Sequence, residues 1–237
     1  MSRRVYKTDI RGRAMAWLFL VCALQACILI LASRTDFYTS YWEDGAIPEY
    51  SFDVADEDMN ALFQAIPRAL LGDLDALRLQ IRDSHGQYGQ AFNEREIAHM
   101  ADVAGLFHIA GAVIWASGLT LAALAVWIQF GRKTDWACVM KGAQAGVLDI
   151  VVLACAIVVW ALIDFQSVFW LFHQLAFTND LWLLNPNTDR LIRLMPQAFF
   201  ERSAQRIALC WAGCAALWLS VARTALCCIK KRRAKEP

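Results

Sequence analysis

The strongest constraint on this chain is that four of its segments are apolar and long enough to cross a membrane as helices. A bilayer core of about 30 Å requires about 20 mostly apolar residues in a helix. The chain is 58% hydrophobic, whereas soluble domains are roughly 45–50% apolar. We therefore predict an α-helical integral membrane protein that forms a single membrane domain over residues 1–237. Its four transmembrane helices are predicted at about 14–33, 103–130, 143–172 and 207–229.

Basic residues indicate the orientation of the spans. Five of them precede the first span, three lie between residues 131 and 142, and five follow the fourth span. Because Lys and Arg are concentrated in cytoplasmic loops, we predict that both termini and the loop 131–142 are cytoplasmic. The loops 34–102 and 173–206 are then extracytoplasmic.

The balance of charge does not favour a polyanionic partner. The net charge of the chain is +1, so we predict no nucleic-acid binding. Loop 34–102 carries fourteen acidic and five basic residues. The eight cysteines all fall in spans or on the predicted cytoplasmic side, away from an oxidising compartment. We predict no structural disulfide. Cys210 and Cys214 share a helix face, but they have no matching His or Cys elsewhere, so we predict no metal site.

The first outer loop has its own pattern of helix and strand signals. Apolar residues at helical spacing predict a helix over Asp56–Leu71, with Asp56 as N-cap and Gly72 as its end. Pro67 favours a kink or an earlier end. Alternation over 77–82 predicts a short strand, and residues 84–87 predict a turn. We expect a small extracytoplasmic α+β cap between spans one and two.

A polar helical run leads into the second span. Glu96, His99 and Asp102 are spaced three residues apart, so they share roughly one helix face. A carboxylate on either side can fix the tautomer of His99 or raise its pKa. A solvated helix with charged residues explains the same spacing without any function.

The second outer loop combines aromatic and polar residues. Thr188 or Asp189 can cap a short helical segment that ends before Pro196. Its Phe and Trp residues are typical of an aromatic belt at the membrane interface. Such a belt does not explain the polar residues among them: His173, Asn179 and Arg193.

Two acidic residues and one histidine fall inside the predicted spans. Asp164 is a functional candidate because a carboxylate within the bilayer is costly. We expect it to meet another helix or a backbone donor rather than His173, which lies on the opposite side of a regular helix. Asp149 lies nearer the cytoplasmic end. We interpret His108 as a packing histidine.

Two separate stretches resemble the motifs of a known family, the bacterial lipoprotein intramolecular transacylases, which are four-span proteins of the cytoplasmic membrane. The first stretch is Phe92–Val103, FNEREIAHMADV. The second runs from Asp164 to Phe200 and includes Phe172-His173, Asn179-Asp180-Leu181-Trp182, Asp189-Arg190-Leu191-Ile192, Pro196 and Phe199-Phe200. One departure is Ala104, where a basic residue is expected.

The resemblance implies an activity and a set of site residues. Such enzymes move the sn-2 acyl chain of a lipoprotein's N-terminal S-diacylglyceryl cysteine to the α-amine of that cysteine, which gives a lyso-form lipoprotein. The implied partners are diacylated lipoproteins and membrane lipid, and no cofactor is implied. The two essential histidines of the family correspond to His99 and His173. The residues that we expect to support them or to bind substrate are Glu96, Asp102, Asp164, Asn179, Trp182, Asp189 and Arg193.

Histidines suit this chemistry on independent grounds. An α-amine with a pKa of about 7.7–8 must lose a proton before it attacks, and a histidine near pKa 6.5 is a suitable base. We expect one histidine to be the base and the other the acid for the departing glycerol oxygen. Glu96 and Asp102 favour His99 as the base, although the reverse assignment is open. Asn179 or Arg193 can donate to the tetrahedral oxyanion.

Other classes of function stay open at this point. A phospholipid-dependent acyltransferase or lipase could hold a phosphate with Arg190 or Arg193, but the chain has no G-x-S-x-G sequence. The absence of H-E-x-x-H weakens a metal hydrolase. A non-enzymatic transport or assembly factor is the third alternative, although no internal repeat is evident.

Overall fold

The computed structural model of the chain describes residues 8–44, 54–83, 85–131 and 134–234. In these ranges helices dominate, and one two-stranded sheet is present. In chain order the elements are α1 (Ile10–Ala32), α2 (Thr35–Glu43), α3 (Asp56–Leu70), β1 (Gln80–Arg82), β2 (Tyr88–Gln90), α4 (Glu94–Phe130), α5 (Trp136–Ile163), α6 (Phe165–Ala176), α7 (Arg190–Leu194) and α8 (Gln197–Arg233).

Four of these helices, α1, α4, α5 and α8, are long and apolar enough to cross a membrane. In the most apolar 18-residue stretch of each helix, only 6% to 22% is buried within the protein. Large apolar side chains such as Trp115, Leu148 and Leu217 are therefore exposed. A helix with an apolar exposed surface requires lipid rather than water around it. The predicted fold class, a four-span α-helical membrane protein with a small α+β cap, is confirmed. The single domain predicted over 1–237 stays a prediction.

The chain divides into two compact units, and the first comprises the described parts of 1–27, 112–163 and 207–237. Its core joins α1, α5 and α8 through the buried side chains of Leu20, Val147 and Trp211. The indole N–H of Trp211 donates to the carbonyl oxygen of Leu20 at 2.9 Å. This bond satisfies the polar atom of a large side chain that is otherwise held by apolar packing.

Glycines allow the N-terminal end of α1 to approach α5 closely. A Cβ atom at Gly12 would lie 2.0 Å from the carbonyl oxygen of Val139, and one at Gly142 would lie 2.0 Å from that of Asp9. Small residues at such crossings are what permit close helix packing in membranes, where dispersion contacts replace the hydrophobic effect. The glycines at 12 and 142 are therefore packing residues.

We expect Gly142→Ala to lower the free energy of unfolding by about 1–3 kcal/mol, the usual cost of overpacking. Gly213→Ala in α8 is the matched control, because nothing lies within 4 Å of the added methyl group. This control should be neutral or stabilise the protein by up to about 1 kcal/mol through helix propensity. Thermal unfolding of both variants in the same detergent compares them, and equal midpoints would contradict the packing role of Gly142.

The second unit comprises the described parts of 28–111 and 164–206. Its core contains Phe199, whose ring lies 5.2 Å from that of Phe37, 5.4 Å from Tyr38 and 5.3 Å from Tyr41. These contacts join the first turn of α8 to α2. An ion pair of 2.5 Å between Arg202 and Asp44 closes the same contact.

Helix α3 matches the helix that the apolar spacing predicts, and its buried face includes Leu62 and Ile66. Two details differ from the prediction. The N-cap is Ala55 rather than Asp56, and the helix continues through Pro67 to Leu70 instead of ending early. Gly72 follows with a φ of +104°, the left-handed conformation in which glycine commonly ends a helix.

The cap contains the predicted strand in shortened form, and a second strand that was not predicted pairs with it. Strands β1 and β2 are antiparallel, with Ile81 opposite Gly89. The predicted strand 77–82 begins only at Gln80, because a 3₁₀ turn over Leu74–Leu77 buries Leu77 instead. The predicted turn at 84–87 includes Ser84, which lies outside the described residues.

The third predicted span, 143–172, is not one helix. Helix α5 ends at Ile163, and Asp164 is the N-cap of α6. Its carboxylate accepts hydrogen bonds from the backbone N–H of Ser167 at 3.0 Å and from the Ser167 hydroxyl. Continuity was the wrong prediction, because an N-cap aspartate satisfies the free N–H groups of a new helix. The expected backbone donor for Asp164 is thus the first turn of α6.

Candidate active site

His99 lies in the second turn of α4 and is 8% exposed. The helix begins at Glu94, and a reciprocal pair of hydrogen bonds fixes that end. The backbone N–H of Asn93 donates to Glu96 at 2.7 Å, and the backbone N–H of Glu96 donates to Asn93 at 3.0 Å. This is the capping-box arrangement. The buried Nδ1 atom of His99 has no hydrogen-bond partner among the described residues.

His173 lies near the end of α6 and is 7% exposed. Its Nδ1 atom is 2.7 Å from the carbonyl oxygen of Phe169, one turn earlier in the same helix. A carbonyl oxygen can only accept, so Nδ1 must carry the proton and Nε2 must present a lone pair. Burial lowers the pKa of His173, and the bond to Phe169 opposes that shift in part. The ring is therefore neutral at pH 7, with Nε2 able to accept a proton.

The two imidazoles face each other within one aromatic pocket. Their ring centroids are 6.3 Å apart, and the rings are tilted by 32°. Phe177 contacts both, with its centroid 5.3 Å from His99 and 5.6 Å from His173. Phe169 and Trp182 cover His173 at 4.0 Å and 5.0 Å. The two buried bases therefore lie close enough to act on the same bound group.

A loop, residues 177–184, lies against α4 beside this pocket, and we call it the Phe177–Leu184 loop. The side-chain amide of Asn179 donates to Asp102 at 2.9 Å, and the indole N–H of Trp182 donates to the Asn179 carbonyl oxygen at 3.0 Å. Arg95 donates to the carbonyl oxygen of Asp180. These bonds fix Trp182 at the ring of His173. Asp102 thus holds the loop, whereas the sequence predicted that it orients His99.

Glu96 is also turned to another partner than His99. It is 2% exposed, and besides Asn93 it accepts a 2.6 Å hydrogen bond from the backbone N–H of Leu191 in α7. Both carboxylate oxygens are therefore occupied by backbone donors. The prediction that Glu96 orients His99 directly is wrong, because the backbone N–H groups of Asn93 and Leu191 each bond to one of its carboxylate oxygens.

Asp189 extends the network from Glu96. Its carboxylate accepts from the Asn93 side chain at 2.9 Å, from the Asn185 backbone N–H at 2.7 Å and from the Thr188 hydroxyl at 3.0 Å. Burial acts to raise the pKa of Asp189, but these hydrogen bonds outweigh it and lower the pKa. The carboxylate is thus ionised at neutral pH and ties the 185–189 turn to the start of α4.

The other candidates have contacts of their own. The Nε atom of Arg193 donates to the Asp189 carbonyl oxygen at 3.3 Å. Asp164 caps α6, nine residues before His173 in the chain. Asp149 pairs with Arg13 at 3.7 Å in the other unit. His108 is exposed rather than packed, and its ring lies beside Gly72. Within the described ranges, no three His, Cys, Asp or Glu side chains are arranged to hold a metal ion.

The chain that carries these two histidines, on α4 and α6, can be compared with known protein families. The sequence model of the lipoprotein intramolecular transacylase Lit matches residues 13–200. The chain belongs to the Lit family. A search of curated proteins finds no match.

Solved structures of a Lit protein share the fold. A structure of the membrane-integral Lit from Bacillus cereus has a TM-score of 0.72 at 18% identity, over 95% of this chain and 97% of that one. Two structures of Bacillus cereus Lit variants, in which arginine or alanine replaces a histidine, have TM-scores of 0.69 and 0.65. They are 17% and 18% identical to this chain and cover 95% of it and 93% of theirs.

Sequence reasoning missed three contributors to this Lit-family pocket. The carbonyl of Phe169 sets the His173 tautomer, Phe177 packs against both imidazoles, and Asn93 connects Glu96 with Asp189. The i−4 relation of Phe169 to His173 was available, because a histidine in a helix can reach the carbonyl one turn back. The Asn93-to-Glu96 spacing is also a capping signature, but no local pattern indicates that Asn93 contacts Asp189.

Proposed function

We propose that this Lit-family protein moves the sn-2 acyl chain of an S-diacylglyceryl cysteine to the α-amine of the same cysteine, with His99 and His173 as its catalytic residues. The observation that carries the proposal is the meeting of two buried imidazoles, 6.3 Å apart, in an aromatic pocket. Acyl transfer from oxygen to nitrogen moves one proton from the amine to the glycerol oxygen. Two facing histidines match that requirement.

His173 is the base in this scheme. Its Nδ1 proton is bonded to the Phe169 carbonyl, which leaves the Nε2 lone pair for the α-amine. As the amine nitrogen attacks the ester carbonyl, its proton passes to Nε2. This assignment reverses the one favoured from sequence, because Glu96 and Asp102 are bonded elsewhere.

His99 completes the proton transfer. When the tetrahedral intermediate collapses, the bond between the carbonyl carbon and the sn-2 oxygen breaks. His99 gives that oxygen a proton and receives one from the His173 imidazolium, so both rings return to the neutral state. The second N–H of the Asn179 amide, oriented by the bond of the first to Asp102, donates to the oxyanion.

The pocket suits a lipidated substrate. Its walls are the rings of Phe169, Phe177 and Trp182, which favour an acyl chain over water. Amine and ester belong to one molecule, so binding them in a near-attack conformation supplies much of the rate. We place this chemistry at the extracytoplasmic face of the bacterial cytoplasmic membrane, with both termini cytoplasmic, on the support of the basic clusters beside the spans.

Mass spectrometry of a reporter lipoprotein tests the reaction. The host makes diacylated lipoproteins, lacks an N-acylating enzyme of its own, and expresses this protein. We expect the N-terminal peptide to keep its total mass while fragmentation locates one acyl chain on the amine. A peptide that gains the mass of an acyl chain would mean an outside donor and would contradict intramolecular transfer. An unchanged peptide in a host that contains the folded protein would contradict the proposed substrate.

The pH dependence of transfer should reflect the lowered pKa of His173. The rate falls as pH falls because the amine, with a pKa of about 7.7–8, becomes protonated. Since an ordinary histidine has a pKa of about 6.5 and burial lowers that of His173, loss of the base should begin only below that pH. A plot of log rate against pH should have a slope near one around neutrality and steepen below about pH 6.5. A slope of two above that pH would contradict a neutral, buried His173.

A further inference from the structure

Three cysteines converge in the first unit. The Sγ atoms of Cys27 in α1 and Cys210 in α8 are 3.1 Å apart. Cys214, one turn further along α8, packs against the same cluster. The packing of α1 on α8 is dense here, since Trp211 bonds to Leu20 and Phe19 stacks on Trp218 at 4.5 Å. The two thiols therefore point at each other across a closely packed helix pair.

The thiols of Cys27 and Cys210 differ in how exposed they are. Cys210 is exposed on the surface of a membrane-spanning helix, whereas Cys27 is 6% exposed. An oxidant dissolved in the bilayer would therefore reach Cys210 first. Redox-sensitive cysteines often lie next to a second, resolving thiol.

We propose that Cys27 and Cys210 are a reversible oxidation site in which a lipid-soluble hydroperoxide oxidises Cys210 and Cys27 resolves it to a disulfide. The sulfur of Cys210 attacks the distal oxygen of the hydroperoxide, and the O–O bond breaks. The departing alkoxide takes the thiol proton and leaves as an alcohol, and Cys210 becomes a sulfenic acid. Cys27 then attacks that sulfur, the S–S bond forms, and the hydroxyl group leaves with the Cys27 proton as water. The thiol pair loses two electrons, and the hydroperoxide gains them.

The geometry favours this pairing over the alternatives. Bridging the pair requires the sulfurs to approach from 3.1 Å to about 2.05 Å. Cys214 lies on the same helix as Cys210, so a disulfide between these two residues would not link α8 to α1. Cys155 in α5 is also exposed, but its thiol forms no hydrogen bond with another of the described cysteines.

Cumene hydroperoxide, an apolar hydroperoxide, tests the site on the full-length protein in lipid vesicles. Its dose is raised until Cys155 is partly oxidised, which shows that the oxidant has entered the bilayer. Remaining thiols are then blocked, and unreduced peptides are analysed by mass spectrometry. We expect most of the protein to contain Cys27 linked to Cys210, at a mass lower by two hydrogen atoms, and a thiol reductant to reverse the link.

Variants separate the two roles. In Cys27→Ala, Cys210 should accumulate as a sulfenic acid that dimedone captures. In Cys210→Ala, Cys27 should stay reduced at the same dose. Cys214→Ala should form the link as the unmodified protein does. A link from Cys27 to Cys214, or a Cys210 that is reduced or over-oxidised without a link once Cys155 reacts, would overturn the proposal.

Discussion

Replacing His173 with alanine is expected to lower the rate of acyl transfer by about 10²–10⁴-fold, the contribution typical of a positioned acid or base. The variant loses the Nε2 lone pair that the Phe169 bond directs towards the amine. His99→Ala should have an effect of the same order, because it removes the proton donor to the glycerol oxygen. The measurement is the rate at which the reporter peptide becomes N-acylated, normalised to the amount of folded protein in the membrane.

The other two histidines of the chain are natural controls. His85 follows β1 in the hairpin turn and is exposed, and His108 lies nine residues beyond His99 on α4. His85→Ala and His108→Ala should keep the rate within a few-fold of the unmodified protein. His173→Asn is a sharper variant, since its amide can still donate to a carbonyl but has no basic nitrogen. Near-normal transfer by His173→Asn would contradict the assignment of His173 as base.

Replacing Glu96 with alanine is expected to lower the free energy of unfolding by about 1–3 kcal/mol, the cost of leaving a buried donor unsatisfied. The buried backbone N–H of Leu191 loses its acceptor, and the part-buried N–H of Asn93 loses the bond that caps α4. The free energy of unfolding of Glu96→Gln should lie between those of the unmodified protein and Glu96→Ala. Its carboxamide offers one acceptor oxygen but turns an N–H group towards the second backbone donor. Thermal unfolding in detergent measures the difference.

Glu94 is the matched control for this effect. It lies two residues earlier on α4, and its side chain is 71% exposed in an ion pair with Arg78. Exposed pairs contribute about 0–1 kcal/mol, so Glu94→Ala should shift the unfolding midpoint only slightly. If Glu94→Ala and Glu96→Ala shift it equally, the bond from Glu96 to the Leu191 N–H does not stabilise the fold as described.

Sequence reasoning succeeded where a single element determines the answer. The four spans follow from length and hydropathy, and α3 follows from the spacing of Leu62, Ile66 and their neighbours. The break at Asp164 was missed because hydropathy averages over a window, and one carboxylate in an apolar run barely changes the mean. The three-residue spacing from Asp164 to Ser167 was the only local sign of a cap.

The site was harder to predict because its polar contacts join distant parts of the chain. Spacing alone placed Glu96, His99 and Asp102 on one helix face, and from this we expected both carboxylates to act on the histidine. In the folded chain their partners are Leu191 and Asn179, each more than 70 residues away in sequence. A helix face defines which side chains are neighbours, whereas tertiary contacts define which of them bond.

The group that holds the His173 ring is a neutral carbonyl rather than a carboxylate. A neutral carbonyl carries no net charge for dissolved ions to screen, and it does not hold an arriving ammonium group as an ion pair. The pKa of this ring is governed first by burial among its aromatic neighbours, and the bond to Phe169 acts in the opposite direction. A base of this kind is more sensitive to how completely the lipid substrate excludes water from the pocket than to ionic strength.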